Sequence, residues 1–261
     1  YMGRQSTWNP DRTHPIPVEQ MLRCSVDEVA VAGCDVITFA PGYGYVPFWK
    51  SDIYPYSEHI QWWNQTFVKT PHYFSQYMLD GGDMVEVFVD QCRKKNISPF
   101  ITIRVNDLHI LEFMPLPDGS TIPTSWADLM LDQWRRQHTQ YCITRPEERT
   151  DLGPDPLETL KQPGMIHKIR REYIMNWIHP EVRDRVYNFI EEVCTKYDID
   201  GLELDFMREN TLFRSDETTS EQRKTIVSAF IIRVRTLLNV TSKPGQYRWL
   251  LVRIPAFTDT N

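Results

Sequence analysis

The most informative stretch of the sequence is Tyr197-Asp-Ile-Asp-Gly-Leu-Glu-Leu-Asp-Phe-Met-Arg208, because it places two carboxylates inside an otherwise apolar segment. In a β-strand, alternate side chains point to opposite faces, so Glu203 and Asp205 share one face and the leucines between them share the other. An ionised carboxylate is costly to bury unless it is paired or hydrogen-bonded. The stretch therefore predicts either a buried ion-pair network or a site of chemistry.

Composition and charge indicate an ordinary globular protein and disfavour some kinds of partner. The chain has 261 residues, of which 41% are hydrophobic and 25% charged, as in an ordinary globular protein, and we expect one domain over residues 1–261. A net charge of -6 and a pI near 5.7 disfavour nucleic acid as a partner. No apolar run approaches the ~20 residues that cross a bilayer. The polar first residues lack a secretion signal, so we expect any leader to have been removed.

Cysteine and histidine spacing argues against a metal or a cofactor. The five cysteines occur singly, without a C-x-x-C pair, and no His-x-His or His-Glu-x-x-His motif is present. Free cysteines are often buried, and we expect this of Cys24, Cys92 and Cys194, which lie on predicted apolar helix faces. We therefore predict neither a metal site nor a cofactor.

Helices and strands alternate along the chain. Apolar residues at helical spacing predict helices over residues 18–32, 83–95, 180–194 and 220–238. Strands are predicted over residues 35–40, 100–106, 201–206 and 248–254, with a weaker one over 172–176. Helices that alternate with strands are typical of an α/β fold with a mostly parallel sheet.

The polar residues on these strands favour a barrel over a doubly wound sheet. Open parallel sheets bury both faces against apolar helices, whereas barrel strands turn one face inward and gather polar groups near their carboxyl ends. Three predicted strands have polar residues there: Arg104 with Asn106, Glu203 with Asp205, and Arg253. The pattern thus predicts a TIM-type (β/α)8 barrel.

Two long loops follow the first two predicted strands, at residues 41–82 and 107–170. Barrel enzymes build their sites from such loops. The first loop is rich in tyrosine and tryptophan, whose rings suit sugar binding, and Tyr43, Tyr45 and Trp49 are candidates. The alternative is that about half of these rings form the core of the loop itself.

Several polar residues are candidates for the site, each with a structural alternative. Asp205 lies nearer the strand end and is the better catalytic candidate, while Glu203 could equally form an ion pair with Arg104 or Arg253. The other candidates could bind substrate hydroxyls or a proton, or serve as loop caps and surface ion pairs. They are Arg104, Asn106, Asp107, His109, Trp177, Arg208 and Arg253.

Three blocks of sequence resemble bacterial glycoside-hydrolase-like (β/α)8 proteins, a glycosyl-hydrolase-10-like group. The blocks are residues 176–208, 103–109 and 251–256, and the first resembles the fourth-strand region of that group. The resemblance implies a barrel that acts on carbohydrate, with Asp205 at the position of a strand-four catalytic carboxylate and Glu203 just below it. It also implies an extracellular or periplasmic protein that takes part in polysaccharide degradation.

The chain departs from this pattern in its strand count. Only about five strands are predicted, whereas eight close a barrel, so we expect a fragment in which a second catalytic group is missing. The sequence accordingly predicts a glycoside hydrolase that uses Asp205 and Glu203. The alternatives are a non-catalytic carbohydrate-binding protein on a degenerate barrel, and a metal-dependent hydrolase that uses Asp107 and His109.

Overall fold

The structure, a computed structural model, describes residues 17–43, 45–66, 73–107, 132–151, 171–207 and 209–255, with a few single residues between 153 and 168. Its strands are β1 (Val36–Phe39), β2 (Gly42–Tyr43), β3 (Val46–Pro47), β4 (Ser98–Arg104), β5 (Gly201–Asp205) and β6 (Trp249–Arg253). Its helices are α1 (Val18–Val31), α2 (Tyr56–Thr66), α3 (Tyr73–Leu79), α4 (Met84–Lys94), α5 (Gln133–Gln137), α6 (Pro180–Lys196) and α7 (Ser220–Thr241). Short 3-10 turns cover Thr139–Tyr141 and Pro146–Glu148.

Four of the strands form one parallel sheet in the order β1-β4-β5-β6. Each is preceded by a helix, so the α/β class and the parallel sheet predicted from the sequence are confirmed. β2 and β3 form a separate antiparallel hairpin. Within the part of the chain that the structure describes, β1 and β6 have no further strand beside them, and barrel closure stays a prediction.

The predicted strand over residues 172–176 is wrong. The segment is a turn in which only Met175 forms a bridge, to Cys142. The physical reason is that side chains satisfy its backbone: Asn106 accepts a hydrogen bond from the Met175 amide at 3.2 Å and donates one to the Met175 carbonyl at 2.9 Å. The sheet thus contains four of the five predicted strands.

Helices cover one face of the sheet. Asp83 caps α4 by accepting hydrogen bonds from the amides of Val85 and Glu86, and the apolar side of α4 packs against β4 and α1. α6 begins at Pro180, which suits the first helical turn. Its inner side and that of α7 are buried through Val186, Ile190, Val193, Phe230, Val234 and Leu238.

The other face of the sheet carries the two acids. In parallel pairing, residues in register point to the same side, and here Thr102, Glu203 and Leu251 are in register. Two residues before Glu203 on β5, Gly201 leaves room for the ring of Phe100. The Cε2 atom of this ring lies 2.4 Å from the position that a Cβ atom on residue 201 would take. A side chain at this position would displace the ring, so glycine is required.

The first predicted long loop is a folded insertion. It contains the hairpin β2–β3 and the helices α2 and α3, which the sequence analysis did not predict. Its aromatic side chains form much of the core, since Tyr45, Phe48, Trp49, Tyr54, Tyr56 and Trp63 are all buried. In the described ranges no helix is long and apolar enough to span a membrane.

Large apolar side chains are exposed along one edge of the molecule. Of the eleven that the structure shows exposed, seven belong to α7, β6 or the residues flanking β6. They are Ile232, Val240, Tyr247, Trp249, Leu251, Val252 and Ile254. This apolar edge of β6 and α7 is unusual for a parallel sheet, whose strands are normally covered.

Candidate functional site

The acids of β5 lie on the same face of the sheet and are buried, each with a side-chain exposure of 3 to 4%. They are also in register with polar residues on both neighbouring strands: Arg104 lies beside Asp205 on one side and Arg253 on the other. The alternation of the strand thus brings the two carboxylates predicted from sequence to one place, at its carboxyl end.

Arg253 joins the two acids. Its Nε lies 2.6 Å from Oε1 of Glu203, and its Nη1 lies 3.5 Å from Oδ2 of Asp205. The predicted ion pair of Glu203 with Arg253 is therefore present. The arginine side chain is half exposed, whereas both acids are buried.

Glu203 is fully engaged by its neighbours. Thr102 donates a hydrogen bond from Oγ1 to Oε2 at 2.9 Å, while Arg253 contacts the other oxygen. The sequence analysis did not single out Thr102, although the signal was present in its alternation with Arg104 on β4. Because both oxygens of Glu203 have close donors, it is suited to fixing the site in place.

Asp205 is less engaged. Its Oδ1 accepts a hydrogen bond from the amide of Met207 at 2.9 Å, which orients the carboxylate just beyond the end of β5. Its Oδ2 lies 3.5 Å from Nη1 of Arg253. This distance is longer than the 2.7 to 2.9 Å of a charge-assisted hydrogen bond. Oδ2 is thus the carboxylate oxygen of the site that is best placed to meet a ligand.

Arg104 and Asp107 form a second ion pair at the end of β4. The Nη1 atom of Arg104 donates to Oδ2 of Asp107 at 2.9 Å, and the aspartate is completely buried. The Asp107 carbonyl also accepts a hydrogen bond from Nη1 of Arg135 at 2.6 Å. This pair lies one strand from Asp205 and can contribute to the polarity of the site.

Asn106 and Trp177, which the sequence analysis predicts as substrate-binding residues, are buried and contact other parts of the protein. Asn106 is 1% exposed, and its amide is bonded to Met175 and to the Thr211 carbonyl. Trp177 is completely buried and packs edge-on against Phe206 and Phe230. Neither presents a surface to a sugar.

Two of the aromatic candidates of the first insertion are also buried. Tyr45 and Trp49 are each 3% exposed, and the Nε1–H of Trp49 donates to Oε2 of Glu192 at 2.7 Å. The alternative interpretation, that these rings form a core, is the one the structure supports. The Tyr43 side chain, His109 and Arg208 lie outside the described residues.

A row of half-buried rings was missed by the sequence analysis. Trp134 stacks on His138 with 4.7 Å between ring centroids, His138 stacks on Tyr141 at 5.7 Å, and Tyr141 lies 5.0 Å from His179. His179 is the residue before the first turn of α6 and makes no capping hydrogen bond with its side chain. The other three rings come from α5 and the turn that follows it, where no periodic pattern predicts them.

The space at the carboxyl end of β4 is small. A cavity of about 40 Å³ lies between β4, the hairpin and α6, and its lining includes Thr102, Arg104, Tyr45 and Phe189. About 10 to 15 Å³ of such space is enough for one water, so this cavity has room for a few waters. No group of three or more His, Cys, Asp or Glu in the described ranges could hold a metal ion.

Comparison with known proteins yields distant structural similarity. No family model matches the chain, and no curated protein matches it. The galactosidase domain of an α-galactosidase–sucrose kinase, AgaSK, is similar with a TM-score of 0.43 at 14% identity, over 84% of this chain and 23% of that one. The GH36 α-galactosidase AgaA from Geobacillus stearothermophilus, solved with stachyose, has a TM-score of 0.43 at 10% identity, over 90% and 25%.

This chain spans about a quarter of the length of these solved structures. TM-scores of 0.43 and identities of 10 to 14% carry no conclusion about the fold or the activity of this chain. The resemblance to the glycosyl-hydrolase-10-like group stays a prediction.

Proposed function

We propose that this protein belongs to the glycoside hydrolases in function as well as in its general fold, with Asp205 as the reacting carboxylate. The observation that carries the proposal is the environment of Asp205. It is a buried carboxylate at the carboxyl end of a central parallel strand, with one oxygen oriented by the Met207 amide and the other 3.5 Å from Nη1 of Arg253. Parallel β/α enzymes place reacting groups at this end of the sheet.

The surroundings of Asp205 suit the role of nucleophile or of electrostatic stabiliser. Both acids lie beside the guanidinium of Arg253, at the carboxyl end of β5. In carboxylate catalysis the second group is an acid that protonates the leaving oxygen. That acid would come from another part of the molecule, and Glu203 would position Asp205 and Arg253.

The open sheet supports a second part of the proposal, that β1, β4, β5 and β6 are the first strands of a larger barrel. The apolar edge of β6 and α7 exposes side chains that a following β/α unit would cover. The same unit is the expected source of the missing acid. The carbohydrate substrate and an extracellular or periplasmic location follow from this assignment as proposals.

Aryl glycosides with a dinitrophenyl leaving group provide the decisive test. Dinitrophenolate departs without protonation, so their cleavage depends on the nucleophile and not on a general acid. A panel of α- and β-linked hexosides and pentosides would be assayed with wild type and Asp205→Asn. We expect turnover of at least one member, reduced 100-fold or more in Asp205→Asn, which corresponds to about 2.7 kcal/mol of transition-state stabilisation.

Asp200→Asn is the matched control, since Asp200 lies just before the opposite end of β5 and pairs with Arg93. It should retain turnover, and circular dichroism should show that both variants are folded. Equal turnover by wild type and Asp205→Asn would overturn the assignment of Asp205.

A non-catalytic carbohydrate-binding protein is the second candidate, favoured by the half-buried row Trp134, His138, Tyr141 and His179. Aromatic rings with exposed edges and polar atoms suit sugar contacts. If no glycoside is turned over but an oligosaccharide binds in calorimetry, and Trp134→Ala abolishes binding while Asp205→Asn does not, this second function is the correct one.

A further inference from the structure

The outward side of helix α7 is uncharged along most of its length. A surface helix normally presents polar and charged residues on the side that faces away from the core. On α7, however, exposed residues at spacings of three and four form an uncharged row opposite the buried side. Two of them, Ile232 and Val240, are 65% and 75% exposed. The row, which we call the α7 stripe, consists of Thr225, Ala229, Ile232, Thr236 and Val240.

The neighbouring helix α6 differs from α7 in this respect. Its exposed residues include Glu181, Asp184 and Glu191, so its outward side is charged. On α7, the arginine next to the stripe, Arg233, is turned towards α6 and pairs with Asp184 at 2.5 Å. The charge of Arg233 is therefore compensated at the side of the stripe, and the stripe itself remains apolar.

The two threonines of the stripe use their hydroxyl groups within the helix. Thr225 donates from Oγ1 to the Glu221 carbonyl at 2.8 Å, and Thr236 donates to the Ile232 carbonyl at 2.9 Å. Burying a donor that has no acceptor costs about 1 to 3 kcal/mol, and these bonds remove that cost. A partner can therefore cover the stripe without leaving a hydroxyl donor unpaired, and can contact the threonine methyl groups.

A groove lies beside the first half of the stripe. Its volume is about 270 Å³, and its lining includes Ile178, Thr225 and Ile226. About 10 to 15 Å³ of such space is enough for one water, so the groove has room for an apolar side chain. Val240 is exposed near the other end of the stripe. The stripe thus has a groove near its first residue and an exposed valine at its last.

The positions of the stripe are symmetric about its midpoint. Thr225 precedes the point between residues 232 and 233 by as many residues as Val240 follows it, and Ala229 and Thr236 match in the same way. A two-fold axis at this point would place two α7 helices antiparallel, with Val240 of each copy opposite Thr225 of the other. Val240 would then reach the groove that Thr225 lines. This match of one patch with itself favours a second copy over an unrelated partner.

Charges at the two ends of the stripe favour the same antiparallel arrangement. Glu221 lies one turn before Thr225, and Lys243 lies just beyond the end of α7, with side chains 78% and 63% exposed. An antiparallel pair brings Glu221 of one copy next to Lys243 of the other, whereas a parallel pair would bring like charges together. Their partners within one copy, Lys224 at 3.6 Å and Asp198 at 2.9 Å, lie at the surface. Such charges fix the orientation of a contact more than its strength.

We propose that this protein forms a two-fold symmetric dimer through the α7 stripe, with a second copy of the chain as the partner. Val240 of each copy fills the groove of the other, and the two Ile232 side chains pack together at the axis. Because the contact is limited to one helix of each copy, we expect a weak dimer with a dissociation constant in the micromolar range. The proposal does not depend on the catalytic role of Asp205.

Sedimentation equilibrium of the intact protein, over a range of concentrations, measures the dimer. Val240→Lys should weaken it about tenfold or more, because an ammonium group is costly to bury in an apolar groove. Val31→Lys is the matched control, since Val31 is 90% exposed at the end of α1. It should leave the dissociation constant unchanged, and circular dichroism should show that both variants are folded.

Disulfide trapping tests the register of the two helices. In a Cys34→Ser background, which removes the exposed native thiol, Ile232→Cys should form a disulfide-linked dimer under mild oxidation. Val240→Cys should not link to itself, because at a rise of 1.5 Å per residue the two copies of residue 240 lie about 22 Å apart along the helices. An equimolar mixture of Thr225→Cys and Val240→Cys should give the linked heterodimer.

Three results would overturn the proposal. The first is a wild-type protein that stays monomeric at every concentration. The second is an association that Trp249→Lys weakens and Val240→Lys does not, which would place the contact on β6. The third is a Val240→Cys protein that links to itself as readily as Ile232→Cys does, which would mean a different register.

Discussion

Arg253 is the residue on which the electrostatics of the candidate site depend. Both acids are nearly inaccessible, and this guanidinium is the cation in contact with each of them among the residues that the structure describes. An ionised carboxylate without such a partner is expensive to bury. The arginine itself is half exposed, so its contribution is smaller than that of a fully buried pair.

We therefore expect Arg253→Met to lower the free energy of unfolding by about 1 to 3 kcal/mol, between the values for exposed and buried ion pairs. Urea denaturation would measure it, and Arg253→Lys should recover part of the loss. Arg235→Met, which removes an arginine that stacks on the exposed Tyr247, should change stability by no more than about 0.5 kcal/mol. An unchanged stability in Arg253→Met would show that the acids have another source of compensation.

At the residue scale, sequence reasoning succeeded where the strand period decides the outcome. The alternation of β5 places Glu203 and Asp205 on one face, and the next strand places Arg253 beside them. It could not predict the contacts of Asn106, because its partners Met175 and Thr211 lie 69 and 105 residues away. The sequence around a polar residue that follows a strand is the same whether its side chain binds a substrate or the backbone of a residue far along the chain.

At the element scale, β5 is anchored at its start by an ion pair with α4. Arg93 donates from Nη1 and Nη2 to the two carboxylate oxygens of Asp200, both at 2.7 Å, and also to the Asp198 carbonyl. Partial burial alone would raise the pKa of Asp200, but the bonds from Arg93 outweigh it and the pKa is lowered. The contact ties the helix before β4 to the strand after it.

This shift determines how the contact responds to pH. A carboxyl with a lowered pKa in the folded state contributes stability above its unfolded pKa of about 3.9, and loses it as pH falls through the folded value. We expect Asp200→Asn to be less stable than wild type by about 1 kcal/mol at pH 7. The difference should shrink as pH falls below about 4 and vanish in stronger acid.

Denaturation with urea at a series of pH values would check this expectation. Asp184→Asn provides the control, because Asp184 pairs with Arg233 on the exposed surface with about half of each side chain accessible. It should give a smaller difference with little dependence on pH. A deficit of Asp200→Asn that stays constant from pH 7 to pH 3 would contradict the assigned shift.

The helices and strands also differ in how far the sequence predicts them. The helices α1, α4, α6 and α7 have apolar residues at helical spacing and end at glycine or begin at proline or a capping residue, so their positions were predicted to within a few residues. The helices α2 and α3 were not, because aromatic residues dominate their segment and mask its period. Trp49, which precedes them in the same insertion, contacts Glu192 and Phe189 of α6, and no local pattern contains such partners.

At the scale of the whole molecule, the apolar edge of β6 and α7 is the feature that the described residues leave exposed to solvent. Trp249 is 58% exposed and Ile254 is 62% exposed, next to a strand whose outer hydrogen-bonding groups have no partner strand in the described ranges. An unprotected edge of this kind pairs with other chains. We therefore expect the 261-residue protein to self-associate through this edge.

Light scattering coupled to size exclusion, over a range of protein concentrations, would measure the association. Replacing Trp249 and Ile254 together by lysine should shift the protein towards the monomer, since charges on an edge strand oppose pairing. The control replaces Val31 and Leu79 by lysine, because both are exposed but lie on helices away from β6. That variant should associate as wild type does. A wild-type protein that stays monomeric at every concentration would mean that β6 is protected, and the proposal of a larger barrel would then lose its main structural support.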